Sequence, residues 1–129
     1  MSQAFPVVEL YTGADGRALF RDYPVPLGLG SELAQLSEVI KVPGIQFRYS
    51  PVGFRFPFHC SPKPQWVFIL SGEMEIGLQD GTSRIFKPGQ HFLSADTLPS
   101  GAIFDASIHG HWSRQAGDEP LVTLFVKTD

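Results

Sequence analysis

QWVFILSGEMEIGLQDGTSRIFKPG, residues 65–89, is the stretch that decides the fold. WVFIL, 66–70, puts five apolar residues in a row, as expected of a strand covered on both faces. Ser71-Gly72 breaks it. EMEIGLQ, 73–79, then alternates, with Met74, Ile76 and Leu78 on one face and Glu73 and Glu75 turned to solvent. Asp80-Gly81 is a two-residue hairpin signal, and Lys87-Pro88-Gly89 makes the next turn.

The same grammar runs outward from this segment. IQFRYS, 45–50, alternates and stops at Pro51. HFLS, GAIFDASI, HGHWSR and PLVTLFVKT read as further strands, the last with Val122, Leu124 and Val126 on one face. SELAQLSEVI, 31–40, fits either a short helix or alternation. Seven to nine short strands with regular turns point to an all-β sandwich or small barrel. The chain reads as a single domain over 1–129, with a Gly- and Pro-rich strand-and-loop arm at 1–44 and a barrel core from about 45 to 127.

Composition narrows the function. The net charge is −3 and no Lys/Arg cluster could neutralise several phosphates, so nucleic acid is not an expected partner. No apolar run approaches the roughly 20 residues of a membrane span. The N-terminus lacks the basic start and apolar segment of a signal peptide. A single cysteine, Cys60, allows no intrachain disulfide and suits a reducing cytoplasm.

These motifs in this order resemble the cupin superfamily. Gly53-FRFPF-His59-Cys-Ser61-PKP-Gln65-WVFILS-Gly72 looks like its first motif, and FKPGQHFLSADT followed by GHWSR like its second. His59, QWVFILSGE, KPG, Gly110-His111-Trp112-Ser113-Arg114 and GDEP are similar to a group of small bacterial cupins, over roughly residues 9–127. The resemblance implies a double-stranded β-helix, or jelly-roll, barrel that pairs as a homodimer and holds a small-molecule ligand. It also implies a divalent transition metal (Zn, Fe, Ni or Mn) and no organic cofactor. Two departures stand out. Ser61 replaces the usual second histidine and Gln65 the usual glutamate, and residues 98–108 read as an insertion before His111.

His59 and His111 are the metal positions carried over by the resemblance. His109 lies two residues before His111. On one strand, i and i+2 share a face with about 6.5–7 Å between their Cα atoms, so both rings would reach one ion. Gln65 is a fourth donor or a ligand-orienting group, and by strand parity Val67 shares its lumen face as a ligand contact. Parity also sets His59 opposite Phe54, Phe56 and Phe58. Asp96 and Asp105 are the carboxylates near the second motif; either would be a general base if the inserted segment folds over the mouth, with no spacing rule to place them there. Arg48 and Arg55 could reach an anionic substrate, with solvated faces as the default. Cys60, next to His59, faces away from it. Three functions remain open: metal-assisted oxidation, isomerisation or lyase chemistry, a metal-free binding or regulatory module, and an enzyme using His59 and His111 as an acid–base pair.

Overall fold

The computed structural model describes residues 3–128, all in strands and loops. Fourteen strands follow in order: β1 Gln3–Phe5, β2 Val8–Thr12, β3 Ala18–Asp22, β4 Val25–Leu27, β5 Leu29–Ser31, β6 Ala34–Leu36 and β7 Gly44–Ser50. Then come β8 Arg55–His59, β9 Gln65–Ser71, β10 Glu73–Gly77, β11 Ser83–Phe86, β12 His91–Ala95, β13 His111–Ala116 and β14 Leu121–Lys127. Among the described residues no helix is long and apolar enough to cross a membrane.

Two sheets form the barrel. One has six strands in the order β3-β2-β12-β9-β14-β7, the other four in the order β11-β10-β13-β8. Pairing is antiparallel except between β12 and β2, which run parallel. The inward rows interleave: Val67 and Ile69 of β9, Met74 and Ile76 of β10, Phe92 of β12, and Leu121 and Phe125 of β14, with Leu10 of β2 closing the end. The alternation read from EMEIG is therefore the inward row of β10, and the WVFIL run belongs to a strand near the centre of the larger sheet. The Asp80-Gly81 hairpin joins β10 to β11, with Asp80 Oδ1 accepting from the Thr82 amide and hydroxyl.

One segment departs from the sequence reading and another takes one of its two alternatives. Residues 31–40 form no helix; the extended alternative holds in part, as β6 pairs antiparallel with β5. Leu33 is 99% exposed and Val39 87% exposed, so the apolar stripe has no surface to bury against and a short helix has nothing to hold it. GAIFDASI is not a strand either. It is irregular chain ending in a turn that Asp105 organises, its Oδ1 accepting from the Ser107 amide and hydroxyl.

Candidate functional site

The strands β8 and β13 place His59 and His111 directly opposite each other in register. The ring centroids are 4.6 Å apart and tilted by 54°. Gly110 makes this approach possible. Its φ is +90°, and a Cβ there would stand 2.6 Å from the His59 carbonyl oxygen. A bulge follows at once: Ser113 pairs with Phe56, so two steps on β13 match three on β8. The bulge brings Phe56 and His59 onto the same side, with rings 4.4 Å apart in an edge contact. Simple alternation had set them on opposite faces. Trp112, next to His111, points the other way and covers Gly77, its partner on β10.

Each imidazole is held by one nitrogen. His111 Nδ1 donates to Asp96 Oδ2 at 2.8 Å, in a pair whose side chains are 4% and 0% exposed. The Thr12 hydroxyl donates to the other carboxylate oxygen at 2.7 Å and in turn accepts from the Thr97 amide. His59 Nδ1 donates to the Pro57 carbonyl at 2.8 Å. Both rings are thereby fixed as the tautomer that carries its lone pair on Nε2. Burial pushes the His59 pKa below the ordinary imidazole range; the Pro57 carbonyl bond opposes this, and the His111 ring adds to the lowering. His59 is thus neutral at pH 7.

The other candidates lie elsewhere. His109 is not on β13, because Gly110 ends the extended run before it. Its Nδ1 accepts the Asp105 amide at 3.0 Å, which consumes that lone pair and leaves the proton on Nε2, the reverse of the site histidines. The i, i+2 argument for His109 fails for that reason. Gln65 Oε1 accepts from Lys127 Nζ at 2.7 Å across the β9–β14 pair, so its oxygen is already committed. Val67 is 2% exposed and packs in the hydrophobic core, away from the cavity lining. Ser61, at the position of the missing histidine, shares a buried hydroxyl bond of 3.0 Å with Ser94. The Cys60 thiol is pushed up by burial and by the charge of Asp96, which keeps it protonated.

A cavity of about 410 Å³ opens at the site, lined by His59, Cys60 and Ser61 with Phe58, Thr97, Leu98 and Phe104 among its walls. That is the size of a pocket for a small organic molecule. Leu98 and Phe104 come from the 98–108 insertion, which thus forms part of the mouth. Sequence reasoning offers Asp96 as a general base and misses its bond to His111, which it meets across 15 residues of irregular chain.

As a metal centre the donor set is incomplete. Two imidazoles anchored through Nδ1, one by a carboxylate, are arranged as metal-bound histidines are. A catalytic divalent ion takes three protein ligands, however. Among the described residues no third His, Cys, Asp or Glu joins the pair, and Asp96 stands behind His111 on the far ring nitrogen.

Two facing sheets closed into a jelly-roll cup, with histidines from neighbouring strands at its mouth, make this chain a cupin by fold. A cupin-like protein from Thermotoga maritima aligns over 65% of this chain and 55% of its own, with TM-score 0.50 and 21% identity. In sequence, the chain is 32% identical over 78 residues to the dimethylsulfoniopropionate lyase DddQ of Ruegeria pomeroyi. That match covers 60% of this chain and 33% of the lyase, so the chain spans about a third of its curated relative. The crystal structure of the same lyase aligns over 64% of this chain and 37% of that one, with TM-score 0.42 and 28% identity. No family model matches.

Proposed function

We propose that this cupin binds a small organic acid at the barrel mouth and removes a proton from it, as a lyase does. The observation that carries this reading is the Asp96–His111 pair: a buried carboxylate fixes Nδ1–H, so Nε2 is the basic atom and the imidazolium formed on proton uptake has its counter-charge in place. His59, neutral and 4.6 Å away between ring centroids, adds no competing positive charge. Phe56, Phe58 and Phe104 give the surroundings an apolar character that strengthens these interactions.

In the step itself, His111 Nε2 takes the proton from the carbon beside the substrate carboxylate. The freed electron pair forms a carbon–carbon double bond while the bond to a leaving group on the next carbon breaks. The leaving group departs with the electron pair of the bond that breaks. The name of the lyase relative, which acts on a small sulfonium carboxylate, agrees with this class of reaction. A divalent ion, were one bound, would be held by His59 and His111 through Nε2 and would supply Lewis-acid polarisation of a carboxylate. We take the working form to be a cytoplasmic homodimer; the exposed outer row of β7, Ile45, Phe47 and Tyr49, supports that pairing.

The test is proton NMR of 3-substituted propionates, dimethylsulfoniopropionate among them, in heavy water with protein purified without an affinity tag. Loss of the C2 proton or appearance of acrylate, abolished by His111→Ala, is expected. Metal analysis of the same sample, and repetition with chelator, separates the acid–base reading from the metal-assisted one. Neither exchange nor elimination in the whole series, with and without added Zn, Fe, Ni or Mn, would refute the proposal.

A further inference from the structure

On the inward row of the six-stranded sheet lies a set of polar groups without partners among the described residues. Arg48 of β7 and Thr123 of β14 are cross-strand partners, and Ser50 is two residues along β7 from Arg48. Partners in register and residues two apart share a face, so all three belong to the inward row that also holds Leu121 and Phe125. Thr123 is 0% and Ser50 1% exposed. The Thr123 Oγ1, the Ser50 Oγ, and the Nε and Nη2 of Arg48 are all sealed from solvent without a hydrogen-bond partner.

Such a concentration is abnormal. Buried polar side-chain atoms nearly always find partners, and the half-buried Arg48 guanidinium has two sealed nitrogens with none among the described residues. The four ion pairs among the described residues all involve other groups. Arg48 has only aromatic faces, its guanidinium carbon lying 4.9 Å from the Phe54 centroid and 4.9 Å from that of Phe125. The two rings hold the guanidinium in place without neutralising it. Lys127 adds a second cation near Phe125, 5.2 Å from the ring centroid and, among the described residues, bonded to the neutral Gln65. The Arg48 charge also contributes to lowering the His59 pKa, which puts it within electrostatic reach of the reaction centre.

We propose that Arg48, with the Thr123 and Ser50 hydroxyls, is the carboxylate-binding subsite of the barrel. This rests on the reading of His111 as the base, and specifies how its substrate is oriented. A planar carboxylate matches the two-pronged guanidinium edge and accepts from the hydroxyls. The acid then enters head first, its carboxylate between Phe54 and Phe125 and its next carbon toward the histidines.

The experiment measures binding, not turnover. Propionate is titrated into the wild-type protein, Arg48→Gln and Thr123→Val, followed by amide chemical shifts, with propionamide and inorganic phosphate as comparison probes. Propionate should bind the wild type, weaken at least 10-fold in Arg48→Gln and about 3-fold in Thr123→Val, and outcompete both probes. Equal binding of propionate and propionamide overturns the subsite, as does unchanged affinity in a folded Arg48→Gln. Phosphate bound more tightly than propionate also overturns the carboxylate assignment. If Arg48→Gln does not fold, the Thr123→Val and propionamide results decide alone. Arg48-dependent binding without any proton removal sinks the proposed reaction and leaves the subsite standing; elimination at full rate in Arg48→Gln does the reverse.

Discussion

Asp96→Asn is the sharpest single perturbation of this molecule. The substitution keeps the shape and removes the charge from a side chain with 0% exposure. Two bonds lose their charge assistance: those from His111 Nδ1 at 2.8 Å and from the Thr12 hydroxyl at 2.7 Å. A hydrogen bond to a charged group contributes about 1.5–3 kcal/mol and a neutral one about 0.5–1.5 kcal/mol, so each loses about 1 kcal/mol. The total is about 2 kcal/mol. Thr12 can turn its proton to the Thr97 carbonyl 3.0 Å away, which makes this an upper figure. With an unfolding slope of about 2 kcal/mol/M, the urea midpoint should fall by about 1 M. The second consequence is chemical. If the Asn amide N–H faces His111, Nδ1 becomes the acceptor and the ring proton moves to Nε2. Nitrogen-15 NMR of the imidazole reads this directly, and proton removal from substrate should fall by more than about 100-fold, because the basic atom is blocked. An unchanged midpoint together with an unchanged His111 tautomer would refute the assigned role of Asp96.

Three further outcomes follow from the same geometry. The His59 pKa is lowered in the folded protein, so its contribution is fully present above the unfolded value of about 6.5 and is lost as pH falls through the folded one. Urea midpoints should therefore drop between pH 7 and pH 5 more in the wild type than in His59→Phe, and equal slopes would contradict the lowered value. A Cβ on Gly77 would stand 1.8 Å from Trp112 Cε2, so Gly77→Ala should cost about 3 kcal/mol and lower the melting temperature by about 10 °C. Gly110→Ala should leave the protein folded at room temperature but push His111 away from His59, seen as loss of ring-to-ring nuclear Overhauser effects; a retained contact would show that the close approach does not depend on the glycine.

Much of the barrel was legible because its strands obey simple rules. Met74 and Ile76 are both buried, and Asp80-Gly81 turns where a hairpin signal should. The site was legible only as a pair, His59 and His111, which the motif resemblance named and the β8–β13 register joins. What resisted reading depended on groups distant in sequence or on broken periodicity. The role of Asp96 follows from tertiary contacts to residues 15 and 84 positions away, which no local pattern encodes. Alternation misplaced Phe56 because a bulge adds a residue between it and His59. His109 matched i, i+2 spacing but sits before a glycine at φ +90°, where the strand rule does not apply. Arg48 in IQFRYS reads by default as solvated, with reach to an anionic substrate as the alternative; the register with Thr123 sets it on the inward row.

The parallel pairing of β12 with β2 has a consequence for how the protein comes to exist. The hydroxyl that steadies Asp96 belongs to Thr12, and β14 must slot between β9 and β7 before the larger sheet is whole. His111 is made late, so the histidine pair and the Thr12–Asp96 bond form only when early and late segments have met, and contacts that span so much chain form slowly. Truncation from either side, even well clear of both histidines, should separate the pair before it unravels the barrel.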